Sequence, residues 1–214
     1  MITIDTIEKN ITKRADMPSN DPISCYMDRC AQQNANAFGV FFDLLSAVKP
    51  ARILEIGTGM GGLTFFLQHT CNALGLNTHI RTYDVLIPMN IMALTNEGVE
   101  VKIIDVFGGD YKSVDQDVID YIQQDGVTLV LCDGKSKWNE FNILSEHIKP
   151  NDFIMAHDYF ENQEKFDNVI NGKIWNWNEI QYSEIEESVK KYNLVECDSD
   201  VYQYVAWVCM TKKQ

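Results

Sequence analysis

The chain has 214 residues, of which 45% are hydrophobic and 23% charged, as expected for one globular domain with a buried core. Its 31 acidic residues outnumber its 18 basic ones and give a net charge of −13, which argues against nucleic acid or an anionic membrane as a partner. No apolar run approaches the roughly 18 residues that a membrane helix needs. The polar N-terminus also lacks the apolar centre of a signal peptide, so we expect a cytoplasmic protein.

Cysteine usage agrees with a reducing compartment. No two cysteines form the C-x-x-C spacing of a zinc site, and several lie in apolar runs, where a free thiol behaves as a small hydrophobic group. We therefore expect reduced thiols at all six positions, which are Cys25, Cys30, Cys71, Cys132, Cys197 and Cys209.

The N-terminal part of the chain differs in pattern from the rest. Its first 30 residues are polar and only weakly patterned. Apolar residues then recur at helical spacing between Phe38 and Leu45, which predicts a helix over 31–48. Residues 1–48 are therefore predicted to form an N-terminal helical extension or lid, followed by a single α/β domain over 49–214.

From residue 52 onward, short apolar runs alternate with amphipathic segments. This alternation predicts a mostly parallel, doubly wound sheet with helices on both faces. A capping-box spacing of Ser113 and Gln116 predicts the start of one of these helices. The predicted strands are 52–56, 78–84, 99–106, 127–133, 152–157, 194–197 and 202–210, and the predicted helices are 63–74, 88–97, 113–124, 137–148 and about 179–191.

A glycine-rich loop, GTGMGG, follows the first of these strands. Glycines between a strand and a helix let the backbone turn tightly and approach a nucleotide-like ligand closely. Gly57, Gly59 and Gly62 satisfy the G-x-G-x-x-G pattern of dinucleotide-binding proteins. Glu55 lies two residues before the first glycine, where a pyrophosphate would be repelled by an anion.

The combined pattern E-x-G-x-G-x-G resembles motif I of class I S-adenosylmethionine-dependent methyltransferases. This resemblance implies a Rossmann-like, seven-stranded sheet with an antiparallel C-terminal strand pair. It also implies that the loop wraps the methionine half of the cofactor, that Asp84 accepts both ribose hydroxyls and that Asp105 meets the adenine amino group. The residues expected to bind S-adenosylmethionine are Glu55, Gly57, Thr58, Gly59, Gly61, Gly62, Asp84 and Asp105.

Two further stretches, LVLCDG and KPNDFIMAHDY, resemble the branch that includes cephalosporin-hydroxylase-like proteins and rhamnosyl O-methyltransferases. In that branch, acids after the fourth and fifth strands hold a divalent cation. Asp133 and Asp158 match two of these acids, and His157 stands where another acid is usual. The resemblance thus implies Mg²⁺ on Asp133 and Asp158, with His157 as proton acceptor and all three as catalytic residues. A protonated His157 or a nearby lysine could balance the two carboxylates instead.

These expectations converge on O-methylation of a hydroxylated small molecule, such as a sugar, with S-adenosylmethionine as methyl donor. The choice of oxygen as the methylated atom follows from the branch resemblance. Two alternatives remain open from the sequence: an NAD-dependent oxidoreductase that uses the same loop, and a non-catalytic cofactor-binding subunit. The expected partner is a small-molecule acceptor, with a homo-oligomer as a further option for the N-terminal segment.

Overall fold

A computed structural model describes residues 4–13, 23–88 and 90–214. None of the helices in these ranges is both long and apolar enough to cross a membrane. The described N-terminal elements are α1 (Ile4–Lys9), β1 (Ile11–Lys13), β2 (Ser24–Tyr26), β3 (Arg29–Gln33) and α2 (Ala35–Val48).

Strands and helices alternate through the rest of the chain. In order they are β4 (Arg52–Ile56), α3 (Gly62–Ala73), β5 (His79–Asp84), α4 (Ile91–Asn96), β6 (Glu100–Ile103), α5 (Gln116–Gln123), β7 (Thr128–Cys132), α6 (Lys137–His147), β8 (Phe153–His157), β9 (Tyr159–Phe160), α7 (Gln163–Lys165), β10 (Ile180–Gln181), α8 (Tyr182–Lys191), β11 (Leu194–Glu196), α9 (Ser199–Gln203) and β12 (Trp207–Lys212). A π-helical turn, Phe166–Ile170, follows α7.

Seven of these strands form the central sheet, in the order β11-β12-β8-β7-β4-β5-β6. Strands β4 to β8 are parallel, and β12 runs antiparallel to both β8 and β11. The predicted doubly wound sheet with an antiparallel C-terminal pair is therefore confirmed. The chain builds outward from β4 to β5 and β6 and then returns to β7 on the other side, and open sheets bind ligands at such a reversal.

The centre of the sheet is buried on both faces, which accounts for the apolar runs of its middle strands β7 and β8. Ile53 and Leu129 belong to a core shared with α2 and α3, whereas Leu54 and Val130 belong to a second core shared with α5, α6 and α8. Consecutive residues of one strand thus pack on opposite faces. This three-layer packing fixes the strand register and with it the positions of the loops at the carboxyl ends.

The N-terminal segment contains a small antiparallel sheet, β1-β2-β3, that sequence analysis did not predict. The predicted helix over 31–48 begins too early, because residues up to Gln33 pair with β2. Helix α2 begins after Asn34, whose side chain accepts a hydrogen bond from the backbone N–H of Asn36.

Several other predicted bounds were also wrong. The strand predicted over 99–106 ends at Ile103, so Asp105 lies two residues beyond it. The predicted capping box at Ser113 does not form, because Asp115 caps α5 instead and accepts from the backbone N–H of Asp117. The strand predicted over 202–210 begins only at Trp207, since Tyr202 and Gln203 end α9 and residues 204–206 form a turn. Helix α4 is likewise shorter than the predicted 88–97.

Gly62, at the start of α3, lies directly against β3. A Cβ atom at this position would come within 2.5 Å of the carbonyl oxygen of Arg29 and 2.6 Å of that of Cys30. Only glycine permits this approach, because the obstructing atoms are backbone and cannot rotate away. The last glycine of the motif therefore packs the N-terminal sheet against the central domain.

We expect Gly62→Ala to lower the free energy of unfolding by roughly 1–3 kcal/mol, the usual cost of overpacking. Gly39→Ala is the matched control. Gly39 lies within α2, where a Cβ would meet nothing within 4 Å, so alanine should raise stability by about 0.5–1 kcal/mol. Urea denaturation of both variants measures the contrast. Equal effects would contradict this account of Gly62.

Candidate active site

A cavity of about 300 Å³ opens at the carboxyl ends of β4 and β5. Four of the predicted cofactor ligands line it: Gly57, Gly59, Asp84 and Asp105. Phe107 and Tyr111 add an apolar wall, with their rings stacked at a centroid distance of 5.1 Å. The cavity combines acidic groups with an aromatic surface beside a glycine loop.

The two acids of this cavity are held by backbone groups. Asp84 accepts hydrogen bonds from the backbone N–H groups of Gly59, at 2.8 Å, and Leu86, at 2.9 Å. Asp105 accepts one from the N–H of Phe107 at 3.0 Å. Each carboxylate therefore has a fixed orientation at the cavity wall, and each retains lone pairs for a ligand hydroxyl or amino group.

Gly57, in the glycine loop, packs directly against the loop after β7. Its φ is +93°, and a Cβ atom there would come within 2.2 Å of the carbonyl oxygen of Asp133. A side chain at Gly57 is thus excluded by the protein backbone itself. The consequence is that the glycine loop and Asp133 lie side by side.

The remaining predicted cofactor ligands are not among the residues that line this cavity: Glu55, Thr58, Gly61 and Gly62. Glu55 is buried, and one of its oxygens accepts hydrogen bonds from the hydroxyls of Thr64, at 2.6 Å, and Thr82, at 2.5 Å. Thr82 in turn bonds Thr58 at 2.7 Å. Glu55 therefore anchors the loop from beneath. Burial is the main reason that its pKa is raised to about 7, although the two threonines oppose the shift.

A second cavity, of about 420 Å³, adjoins the first. The two share Gln32, Asp133, Gly134 and Lys135 in their walls. The second cavity also contains the other predicted catalytic residues and a group of aromatic and charged side chains, namely His157, Asp158, Trp175, Trp177, Lys137 and Glu179.

Asp133 and His157 form a hydrogen-bonded pair at the junction. Nδ1 of His157 lies 3.0 Å from Oδ1 of Asp133, and the imidazole stacks on Trp207 at 4.8 Å between ring centroids. Burial alone would lower the pKa of His157, but the charges of Asp133 and Asp158 outweigh burial and raise it. Nε2 of His157 is buried and has no hydrogen-bond partner within the described ranges.

Lys137 is the ion-pair partner of the acids. It is only 8% exposed, and its Nζ lies 3.1 Å from Oδ2 of Asp158 and 3.8 Å from Oδ1 of Asp133. Burial would lower the pKa of Lys137, but these carboxylates, together with Glu179, raise it above its usual value. Burial would likewise raise the pKa of Asp158, but His157 and Lys137 hold it below its usual range. Lys137 is therefore a charged, buried ammonium.

Gln33, on β3, is a site residue that the sequence did not reveal. It is fully buried, and its amide nitrogen donates to Oδ2 of Asp133 at 3.0 Å. Its amide oxygen accepts from Nε1 of Trp207 at 2.7 Å. Both ends of this amide are thus used to hold the Asp133–His157 pair, and the N-terminal segment supplies the group.

The predicted metal ligands Asp133 and Asp158 do meet here, and with His157 they form a group whose ligand atoms lie within 4.8 Å of one another. The hydrogen bonds and ion pairs of the two acids oppose a divalent cation, however. Asp133 accepts hydrogen bonds from His157 and Gln33. Asp158 forms an ion pair with Lys137 and accepts a hydrogen bond from Nε1 of Trp175 at 2.5 Å. All four carboxylate oxygens have a protein donor, and the buried ammonium of Lys137 already lies between the two acids and would repel a divalent cation, so the residues as arranged do not fit Mg²⁺.

Comparisons with known proteins identify the fold. No family model matches the chain, and no curated protein does. Among solved structures, CmcI with S-adenosylhomocysteine superimposes with a TM-score of 0.60 at 10% identity, over 94% of this chain and 88% of that chain. CmcI with Mg and S-adenosylmethionine also gives 0.60, at 12% identity, over 94% and 81%. An O-methyltransferase family protein from Burkholderia thailandensis gives 0.52 at 10% identity, over 83% and 55%.

The chain has the class I methyltransferase fold. The strand order and the antiparallel C-terminal pair agree with this result. Both cavities of the present chain lie at the carboxyl ends of the sheet strands, which is where open α/β sheets bind their ligands.

The raised pKa of Glu55 makes stability depend on pH. The folded chain favours the protonated form of Glu55. The contribution of Glu55 to the free energy of unfolding is therefore complete below its unfolded pKa near 4.5 and is lost as pH rises through about 7. Glu55→Gln keeps an oxygen for Thr64 and Thr82 but cannot ionise. As the pH rises from about 4 to about 8, the free energy of unfolding of the variant should therefore increase by roughly 3 kcal/mol relative to that of the parent chain.

Urea denaturation across this pH range measures the difference. Glu186→Gln, which changes an exposed carboxylate on α8, is the matched control and should give a much flatter difference. A constant difference between Glu55→Gln and the parent chain from about pH 4 to pH 8 would contradict the burial of a titrating carboxyl group.

Proposed function

We propose that this protein is an S-adenosylmethionine-dependent methyltransferase that transfers a methyl group to a hydroxyl of a small molecule. One observation carries the proposal: a cavity beside the glycine loop adjoins a second cavity at Asp133, next to His157. A cofactor in the first cavity and an acceptor in the second would meet at this junction. The fold shared with CmcI bound to S-adenosylhomocysteine supports the choice of cofactor.

In this proposal the first cavity binds the cofactor by chemistry already visible in its walls. Asp84 accepts from the ribose hydroxyls, and Asp105 accepts from the adenine amino group beside the Phe107–Tyr111 pair. Gly59 lets the loop approach the methionine part. Glu55 acts indirectly, because its threonine bonds hold the loop from below.

The second cavity receives the acceptor. Methyl transfer breaks the bond from the sulfonium to the methyl carbon and forms a carbon–oxygen bond, and the acceptor hydroxyl gives up its proton. With its own proton on Nδ1 and directed at Asp133, His157 has Nε2 available to take that proton. Most of the rate then comes from holding the two substrates in line.

Strand β3 of the N-terminal segment serves as a lid on this site, whereas α2 packs in the core against the sheet. Gln32 lies in the walls of both cavities, and Gln33 bonds Asp133 from within. Both residues belong to β3, which packs on α3 through the close contact at Gly62. The lid therefore contributes to the acceptor side of the site as well as covering it, and its aromatic neighbours Trp175 and Trp177 are suited to an acceptor with an apolar face.

We expect S-adenosylhomocysteine to bind the wild-type chain and to raise its melting temperature, whereas NAD should not. Asp84→Ala removes one charged acceptor and should weaken binding by about 1.5–3 kcal/mol. Isothermal titration calorimetry measures the change. Asp110→Ala, an exposed acid outside both cavities, is the control and should bind normally. Stabilisation by NAD alone would favour the oxidoreductase alternative.

Removal of His157 tests the acceptor side. His157→Ala should lower methyl transfer roughly 10²–10⁴-fold, the usual effect of losing a general base, while S-adenosylhomocysteine affinity stays nearly unchanged. A screen of hydroxylated metabolites with labelled S-adenosylmethionine supplies the assay. His147→Ala, at the end of α6, is the matched control because His147 lines neither cavity. Full activity in His157→Ala would exclude its role as the base.

A further inference from the structure

The buried acids after β7 and β8 already have a cation beside them. Lys137 is the first residue of α6, and its Nζ contacts both Asp158, at 3.1 Å, and Asp133, at 3.8 Å. All three side chains are largely buried, at 8% exposure for Lys137, 9% for Asp158 and 15% for Asp133. Buried carboxylates need a counter-charge, and this lysine supplies one from within the chain.

Nζ of Lys137 is surrounded by oxygen atoms, as a bound metal ion would be. Besides the two aspartates, Nζ contacts Oε2 of Glu179 at 2.7 Å and donates to the carbonyl oxygen of Gly134 at 3.2 Å. The loop that carries this carbonyl is fixed, because Glu140 accepts from the N–H of Gly134 at 3.0 Å. Four oxygen atoms, from Asp133, Gly134, Asp158 and Glu179, thus converge on one ammonium group.

The opposite oxygens of the two aspartates are also committed. Gln33 donates to Oδ2 of Asp133 at 3.0 Å, and Trp175 donates to Oδ1 of Asp158 at 2.5 Å. Mg²⁺ requires near-octahedral oxygen ligands at about 2.0–2.1 Å. To bind here it would have to displace these donors and lie against the charge of Lys137, which repels it.

We propose that the ammonium of Lys137 occupies the cation position between Asp133 and Asp158, so that this site works without a divalent metal. This inference rests on the methyltransferase function proposed above. It assigns Lys137 a positioning role, because Lys137 holds the two aspartates, and Asp133 in turn orients His157. It also predicts that removing the ammonium creates a metal site.

Titration with Mn²⁺ alone, followed by electron paramagnetic resonance, tests the inference. The wild-type chain should bind Mn²⁺ more weakly than roughly 1 mM, at the level of an acidic surface. Lys137→Met should bind at least about tenfold more tightly, because the two carboxylates lose their counter-charge. Adding Asp158→Asn to this variant should abolish the gain, which assigns it to this site.

Two controls separate charge from position. Lys135→Met removes an exposed lysine from the wall of the same cavity and should leave Mn²⁺ binding at the wild-type level. Lys137→Arg keeps the positive charge and should do the same. Calorimetry with S-adenosylhomocysteine is run in parallel, because failure to bind it would refute the methyltransferase function without changing the Mn²⁺ result.

Wild-type binding of Mn²⁺ tighter than roughly 1 mM, if lost in Asp133→Asn, would overturn the inference. A folded Lys137→Met variant that binds Mn²⁺ no more tightly than the wild-type chain would also overturn it. If Lys137→Met fails to fold, the wild-type titration decides alone, since weak binding that is insensitive to Asp133→Asn supports the inference.

Discussion

The site depends on one backbone contact, the approach of Gly57 to the carbonyl of Asp133. Strands β4 and β7 are neighbours in the parallel sheet, and their loops leave its edge side by side with no room for a Cβ atom between them. The same residue, Asp133, then directs its carboxylate to His157 and Gln33. A single close contact thus brings the glycine loop of one cavity against the acid–histidine pair of the other.

Buried acids serve different purposes on the two sides of this contact. Among the described residues, Glu55 has hydroxyl groups as its hydrogen-bond partners, and its pKa rises to about 7 because burial penalises its charge. The pKa of Asp158 falls below its usual range, because His157 and Lys137 outweigh burial. The acid beneath the glycine loop is therefore structural, whereas the acids of the second cavity are charged and able to orient a polar group.

Sequence reasoning predicted the elements whose pattern is local. The apolar run at 52–56 is a buried strand at those bounds, and the glycine loop follows it as expected. Sequence reasoning failed where a partner distant in sequence decides the structure. Gln33 was assigned to a helix, because nothing nearby indicates that its segment pairs with β2 and reaches Asp133, 100 positions later. Lys137 gave no signal that separated it from a surface lysine, since its ion-pair partners Asp158 and Glu179 lie in loops distant from it in sequence.

The N-terminal sheet explains why such long-range contacts matter here. It is small, and its β3 strand is attached to α3 at Gly62, a position where the backbones touch. This docking places Gln33 where its amide donates to Asp133 and accepts from Trp207. Release of β3 would remove one hydrogen bond from Asp133 and take Gln32 out of the lining of each cavity, so docking of the N-terminal segment completes both cavities.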